Sequence, residues 1–144
     1  MINHDTIELL KECNAGIKMG VSAIEEVFDS VQSDDLRKIL NSNREEHQKL
    51  GSETRELLNS YSDTGKEPNL MAKGMSWMKT NVMMALDGGD DTVADLITDG
   101  CNMGVKSLGK YLNEYKAADE KSKDIAKRLI NLEQQLTVDV RPYL

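Results

Sequence analysis

The sequence is poor in the residues that build β-sheets and disulfide frameworks. Aromatic residues make up 4% of its 144 residues, and it contains two prolines and two cysteines. So few aromatics disfavour a β-sandwich or barrel. Cys13 and Cys101 are too few for a disulfide framework and lack the C-x-x-C spacing of zinc and redox sites, so we interpret both as small buried hydrophobic residues. These absences favour an all-α fold.

Positive charge and long apolar runs are scarce as well. Lys and Arg number 18 against 25 Asp and Glu, a net charge of −7, so nucleic acid is not an expected partner. No run approaches the roughly 20 apolar residues of a membrane span, and no basic, then apolar, leader opens the chain. We therefore predict a single cytoplasmic domain over residues 1–144 that has no membrane partner.

Apolar residues recur at steps of three and four along five segments, which is the spacing of one helix face. Ser33 and the two aspartates after it can cap a following helix. Gly88 and Gly89 can end one helix, while Asp90 and Asp91 can cap the next. The pattern predicts helices at about 6–31, 35–61, 69–86, 92–115 and 119–139.

Short turns join the first two segments and the last two, which predicts two antiparallel helical hairpins. The third segment, of about 18 residues, would extend roughly 27 Å at 1.5 Å per residue, nearly the length of the helices beside it. It therefore predicts a crossover helix between the hairpins, and the whole chain a four-helix bundle.

A short internal match suggests that the hairpins are related. The run CNAGIK beginning at Cys13 resembles CNMGVK beginning at Cys101, 88 residues apart (101 − 13). Both runs fall in the same register of a helix that opens a hairpin. We expect Gly16 and Gly104 to be packing positions near a pseudo-twofold axis, where a missing side chain lets two backbones approach.

The crossover segment and the turn after it carry a family resemblance. The runs GMSWM at residues 74–78 and LDGGDD at residues 86–91 resemble the crossover and the Gly-Gly-Asp-Asp turn of an uncharacterised bacterial family of ferritin-like four-helix bundles. The resemblance extends over most of the chain and implies a ferritin-like fold. It implies no activity.

The sequence cannot supply a ferritin-like di-iron site, which takes a Glu from each of two helices and a Glu-x-x-His pair from each of the other two. Its only histidines are His4 and His47, and Arg44 stands where the carboxylate before His47 would be. We predict no metal centre and keep His47 as a weak candidate ligand. The preferred interpretation of His47 is a core histidine hydrogen-bonded to Asn43 or across the bundle. Most remaining glutamates considered, with Glu133 in that group, are assigned to solvated faces.

No phosphate loop, nucleophile elbow or local Cys/His signature is present, so we predict no catalytic residue and no cofactor. The leading hypothesis is a non-catalytic ferritin-like bundle that acts through self-association or protein binding. One alternative is a divergent ferritin-like metalloprotein, for iron handling or redox chemistry, with an irregular site near His47. Another is a bundle that encloses a small apolar ligand.

The predicted crossover helix has two apolar sides, and the bundle needs only one of them. An apolar side left uncovered on a soluble protein usually marks an interface, so we predict a homodimer with this helix at or near the contact. A further protein partner remains an alternative. The predicted packing or interface residues are Gly16, Gly104, Met75, Trp77, Met78 and Met84.

Overall fold

A computed structural model describes residues 4–61 and 88–144 of the chain. Within these residues the chain forms four α-helices and no strand, which confirms the predicted all-α bundle. The predicted crossover helix over 69–86, with Met75, Trp77, Met78 and Met84, lies outside the described residues. The helices are α1 (His4–Phe28), α2 (Asp34–Ser60), α3 (Asp90–Glu114) and α4 (Glu120–Val140), and a single 3₁₀ turn (Arg141–Tyr143) follows α4.

Side-chain caps start both second helices of the hairpins. The Ser33 hydroxyl accepts a hydrogen bond from the backbone N–H of Leu36 at 3.2 Å, as predicted. The Asp119 carboxylate does the same for the N–H of Ser122 at 2.8 Å. These bonds satisfy backbone donors that have no partner inside the first turn of a helix.

Asp90 does not cap its own helix, contrary to the sequence prediction. The N-cap of α3 is Gly89, which makes no side-chain cap. The carboxylate of Asp90 instead accepts hydrogen bonds from the backbone N–H groups of Gln32 at 2.8 Å and Ser33 at 2.9 Å. Two parallel donors in the turn between α1 and α2 bind both carboxylate oxygens, a geometry that a local pattern of capping residues cannot reveal.

The opposite end of the bundle carries the reciprocal connection. The Thr6 hydroxyl accepts from the N–H of Asp119 at 2.8 Å, and Asp5 accepts from the N–H of Ala117 at 3.0 Å. The start of α1 therefore binds the turn between α3 and α4, just as the start of α3 binds the turn between α1 and α2. It follows that α1 and α3 run antiparallel.

The described contacts also fix the direction of the other helices. The Tyr61 hydroxyl, at the end of α2, donates to the Asp119 carboxylate at 3.2 Å, at the start of α4. With α1 pointing up, α2 and α3 point down and α4 points up. The end of α2 and the start of α3 consequently lie at opposite ends of the bundle. None of the described helices combines the length and apolar character needed to cross a membrane.

The buried apolar residues form two core clusters, one near each end of the bundle. The first cluster comprises Ile24, Val27, Val31, Leu36, Leu40, Val93, Ala94, Leu96, Ile97, Cys101, Leu136 and Val140. The second comprises Leu9, Leu10, Cys13, Ile17, Leu50, Leu58, Leu108, Ala118, Ile125, Ala126 and Leu129. Along α2 and α4, the buried polar residues Asn43, His47 and Glu133 lie between residues of the two clusters.

The hairpins bury matching positions. In α2 the buried residues Leu36, Leu40, Asn43, His47, Leu50 and Thr54 correspond, at a constant spacing of 86 residues (133 − 47), to Ser122, Ala126, Leu129, Glu133, Leu136 and Val140 in α4. In α1 the buried residues Leu9, Leu10, Glu12, Cys13, Ile17 and Ile24 correspond, at a spacing of 84 (101 − 17), to Val93, Ala94, Leu96, Ile97, Cys101 and Leu108 in α3. The bundle is thus pseudo-symmetric.

We predict that Asp90→Ala lowers the free energy of unfolding by about 1 to 3 kcal/mol, because the Ser33 N–H, in a partly buried position, loses a charged acceptor. Urea unfolding followed by circular dichroism measures it. Asp91→Ala is the control, since it removes the same charge from the same helix start, together with one exposed bond from the Thr92 N–H, and leaves the Asp90 bonds intact. Equal losses in the two variants would contradict the proposed connection.

Candidate functional site

A histidine and a glutamate meet inside the bundle. His47 of α2 is 1% exposed and Glu133 of α4 is 6% exposed, and Nε2 of His47 lies 3.7 Å from Oε1 of Glu133. This separation is longer than a hydrogen bond. Two ionisable side chains are therefore in close contact where water does not reach.

The histidine tautomer follows from its second contact. Nδ1 of His47 lies 3.0 Å from the backbone carbonyl of Asn43, so the predicted bond to Asn43 is present. A carbonyl oxygen only accepts, so Nδ1 carries the hydrogen and donates it. The amide of Asn43 donates in turn to the carbonyl of Leu132 at 3.2 Å, which joins α2 to α4. In the neutral imidazole, the remaining nitrogen, Nε2, then presents a lone pair towards Glu133.

This geometry calls for one proton between the two groups. An ionised carboxylate facing the Nε2 lone pair would place two electron-rich atoms in contact, out of water. Burial raises the pKa of Glu133 above its usual value, although His47 lowers it in part. The carboxyl group accordingly holds its proton more firmly than an exposed glutamate, and a protonated Oε1 can face Nε2.

Two glycines make room for the pair. A Cβ atom on Gly20 of α1 would lie 2.7 Å from Nε2 of His47, and one on Gly104 of α3 would overlap Oε2 of Glu133. Each member of the pair therefore lies against the bare backbone of the preceding helix in its own hairpin. All four helices contribute to this one layer.

Sequence reasoning missed two of these four residues. The two are Glu133 and Gly20, and the burial of Glu133 corrects its place among the solvated glutamates. The missed signal is that Glu133 follows Leu129 by four residues and precedes Leu136 by three. Within an apolar stripe, a glutamate at such a spacing points inward.

The glycine counterpart of Gly104 is Gly20. The two are 84 residues apart (104 − 20), the spacing at which α1 and α3 bury matching positions. The CNAGIK and CNMGVK match has a spacing of 88 residues, which differs from 84 by about one helical turn. It therefore keeps the same helix face but pairs Gly104 with Gly16 instead of Gly20. Gly16 is half-buried, and its packing role stays a prediction.

The other residues weighed as ligands or nucleophiles lie apart from this layer or are unreactive. Arg44 places its guanidinium 5.7 Å from the centre of the Phe28 ring and donates to Asn41. Burial raises the pKa of the Cys13 thiol to about 12 and raises that of Cys101 as well, with Glu133 adding to the second shift. Protonated thiols are poor nucleophiles and poor metal ligands.

A second buried carboxylate, also absent from the predictions, lies in α1. Glu12 is 4% exposed and lies near Tyr111 of α3, whose ring stacks on Tyr115 with centroids 6.0 Å apart. Burial, followed by the effect of Glu12, raises the pKa of Tyr111 to about 12. This contact joins α1 to α3 at the edge of the second core cluster.

The polar layer formed by His47, Glu133, Gly20 and Gly104 is better suited to binding a proton than to binding a metal ion. Within residues 4–61 and 88–144, no group of three or more His, Cys, Asp and Glu side chains is arranged to hold a metal ion. Structural and catalytic transition-metal sites take at least three protein ligands, and His47 with Glu133 supplies two. Comparisons with protein-family models, curated proteins and solved structures find no match to this chain.

We predict that Gly20→Ala and Gly104→Ala each destabilise the protein by about 1 to 3 kcal/mol, because the added methyl group overlaps His47 or Glu133. Gly109→Ala is the control in α3. A Cβ there meets nothing within 4 Å, so alanine's better helix propensity should stabilise the protein by about 0.5 to 1 kcal/mol. Chemical denaturation measures all three, and stabilisation by alanine at positions 20 and 104 would refute the packing.

We predict a pH dependence that belongs to Glu133. An unfolded glutamate releases its proton near its ordinary pKa of 4.5, whereas the raised pKa keeps Glu133 protonated in the folded chain. Between these two values the folded state binds more protons, so the free energy of unfolding falls as pH rises. Glu133→Gln cannot ionise, so its stability relative to the native chain should increase from pH 4.5 upwards.

Unfolding titrations from pH 3 to pH 8 check this prediction. The other titratable groups facing Glu133 are His47 on α2 and Cys101 on α3, and both are retained in the variant. Glu53→Gln is a control of opposite sign, because the hydrogen bond from Arg128 lowers the pKa of Glu53. Its stabilising effect is present above the ordinary pKa and is lost as pH falls. A constant difference between Glu133→Gln and the native chain would exclude a raised Glu133 pKa.

Proposed function

We propose that this chain is a non-catalytic, cytoplasmic helical bundle of the ferritin-like layout that acts through self-association or protein binding. The proposal includes a crossover helix over residues 69–86 that joins the two hairpins. The antiparallel hairpins and the shared direction of α2 and α3 support this layout, since the connection between them begins and ends at opposite ends of the bundle.

One observation is the reason why this proposal includes no metal chemistry. In the polar layer of the bundle, α1 and α3 present the backbone of Gly20 and Gly104 instead of carboxylates. The space that ligands from those helices would need is filled by His47 and Glu133 themselves, which meet at 3.7 Å. A di-iron centre needs carboxylates from both of those helices, so the layer is built as a closed packing contact.

The arrangement of surface charge supports a binding role. Several exposed charges of α2 and α4 are paired within the chain, such as Arg128 with Glu53 at 2.6 Å and with Asp124 at 2.9 Å. The exposed face of α3 is organised differently, with charges separated by sign between residues 95 and 110. We therefore assign the proposed function to the surface of the bundle.

We predict that the natively purified chain contains no stoichiometric iron or manganese and that its native mass spectrum shows a dimer. Elemental analysis and native mass spectrometry test both parts on one sample. Two metal ions per chain that disappear in His47→Ala would establish the metalloprotein alternative and overturn the proposal. Glu46→Ala, which removes an exposed residue next to His47, is the control for nonspecific metal loss.

A further inference from the structure

Between residues 95 and 110, the exposed face of α3 divides its charges by sign. Asp95 and Asp99 lie in the first half of the helix, and Lys106 and Lys110 lie in the second half, and all four are exposed. Between them lies Met103, which is 43% exposed and is one of three large hydrophobic residues exposed in the described part of the chain. We call these five residues, with Asn102, the α3 charge stripe.

These residues form one continuous stripe. At 100° per residue they fall within an arc of about 100° on the helix. Asp99 and Lys106 are seven residues apart, so they are not the neighbours at three or four residues that pair along a helix. Within residues 4–61 and 88–144, none of the four charged side chains makes an ion pair or a side-chain hydrogen bond, unlike Arg128 of α4.

The stripe is complementary to itself. When two copies of α3 lie antiparallel, with the midpoint between Asn102 and Met103 on a twofold axis, Asp99 faces Lys106 of the partner subunit. Asp95 then faces Lys110 of the partner subunit. These pairs lie about 5 Å and 11 Å from the axis along the helix, at 1.5 Å per residue. Symmetry doubles them to four ion pairs, with Met103 of each copy beside the axis.

We propose that the α3 charge stripe is a homodimer interface and that its occupant is the α3 stripe of a second copy of this chain. The inference rests on the proposed function, of which it names the partner and the surface. Parallel pairing would place like charges opposite each other, so the charge order also specifies the orientation. Exposed ion pairs stabilise weakly and are screened by salt, so the dimer forms best at low ionic strength.

Sedimentation equilibrium of the full chain tests the interface, with circular dichroism to verify folding. The double variant Lys106→Glu with Lys110→Glu makes the whole stripe acidic, and its dimer dissociation constant should rise at least about tenfold at low salt. Asp95→Lys with Asp99→Lys makes the stripe basic and should have the same effect. The matched control, Lys38→Glu with Lys127→Glu, makes the same charge change at exposed positions of α2 and α4 and should leave the constant within about twofold.

Mixing the acidic and the basic variants restores every opposite-charge pair, so an equimolar mixture should form heterodimers at least as tightly as the native homodimer forms. The four-substitution chain, in which the signs are exchanged, should dimerise by itself. The exchanged chain keeps the native net charge and regains opposite charges only in the antiparallel arrangement, so its dimerisation distinguishes the interface from a general effect of net charge.

The outcomes separate this inference from the proposed function. A native dimer whose dissociation constant is unchanged by both stripe variants would overturn the assignment to α3 and leave self-association intact. A native chain that is monomeric at every concentration and salt level would overturn both the interface and self-association. Folded variants that fail to associate when mixed would also refute the antiparallel pairing.

Discussion

The contact between His47 and Glu133 is the constraint on which the rest of the bundle depends. Removing two ionisable groups from water is costly unless each retains a partner. The Asn43 carbonyl accepts a hydrogen bond from Nδ1 of the imidazole. The raised pKa of Glu133 keeps a proton available for the other ring nitrogen, Nε2. Because the backbones of Gly20 and Gly104 enclose the pair, the register of all four helices is coupled at this layer.

The reciprocal connections at the ends of the bundle hold that register. Asp90 binds the turn of the first hairpin, while Asp5 and Thr6 bind the turn of the second. Each connection uses the start of one hairpin to satisfy backbone donors in the other, so neither hairpin completes its hydrogen bonding alone. A shift of one hairpin along the other would break these bonds and separate His47 from Glu133. The hydrogen bonds at both ends of the bundle and the contact between His47 and Glu133 in its middle therefore specify the same alignment of the two hairpins.

In the described residues, the polar layer of the bundle is filled by its own side chains, so the proposed association is assigned to the surface. Some exposed charges of α2 and α4 are paired with each other, whereas α3 has separated charges on both sides of Met103. This contrast is the physical basis for assigning association to α3.

The sequence by itself determined the helical class, the hairpins and the Ser33 cap, and it offered the contact of His47 with Asn43 as one of two alternatives, because each depends on spacing or on residues within one turn. It placed Glu133 in a group of glutamates assigned mostly to solvent and paired Gly104 with Gly16, since a helix face repeats every three or four residues and a one-turn shift leaves the pattern unchanged. Only the tertiary structure decided that Glu133 meets His47 and that Asp90 binds the neighbouring hairpin. Such contacts join residues far apart in the chain, and packing between helices alone fixes their alignment.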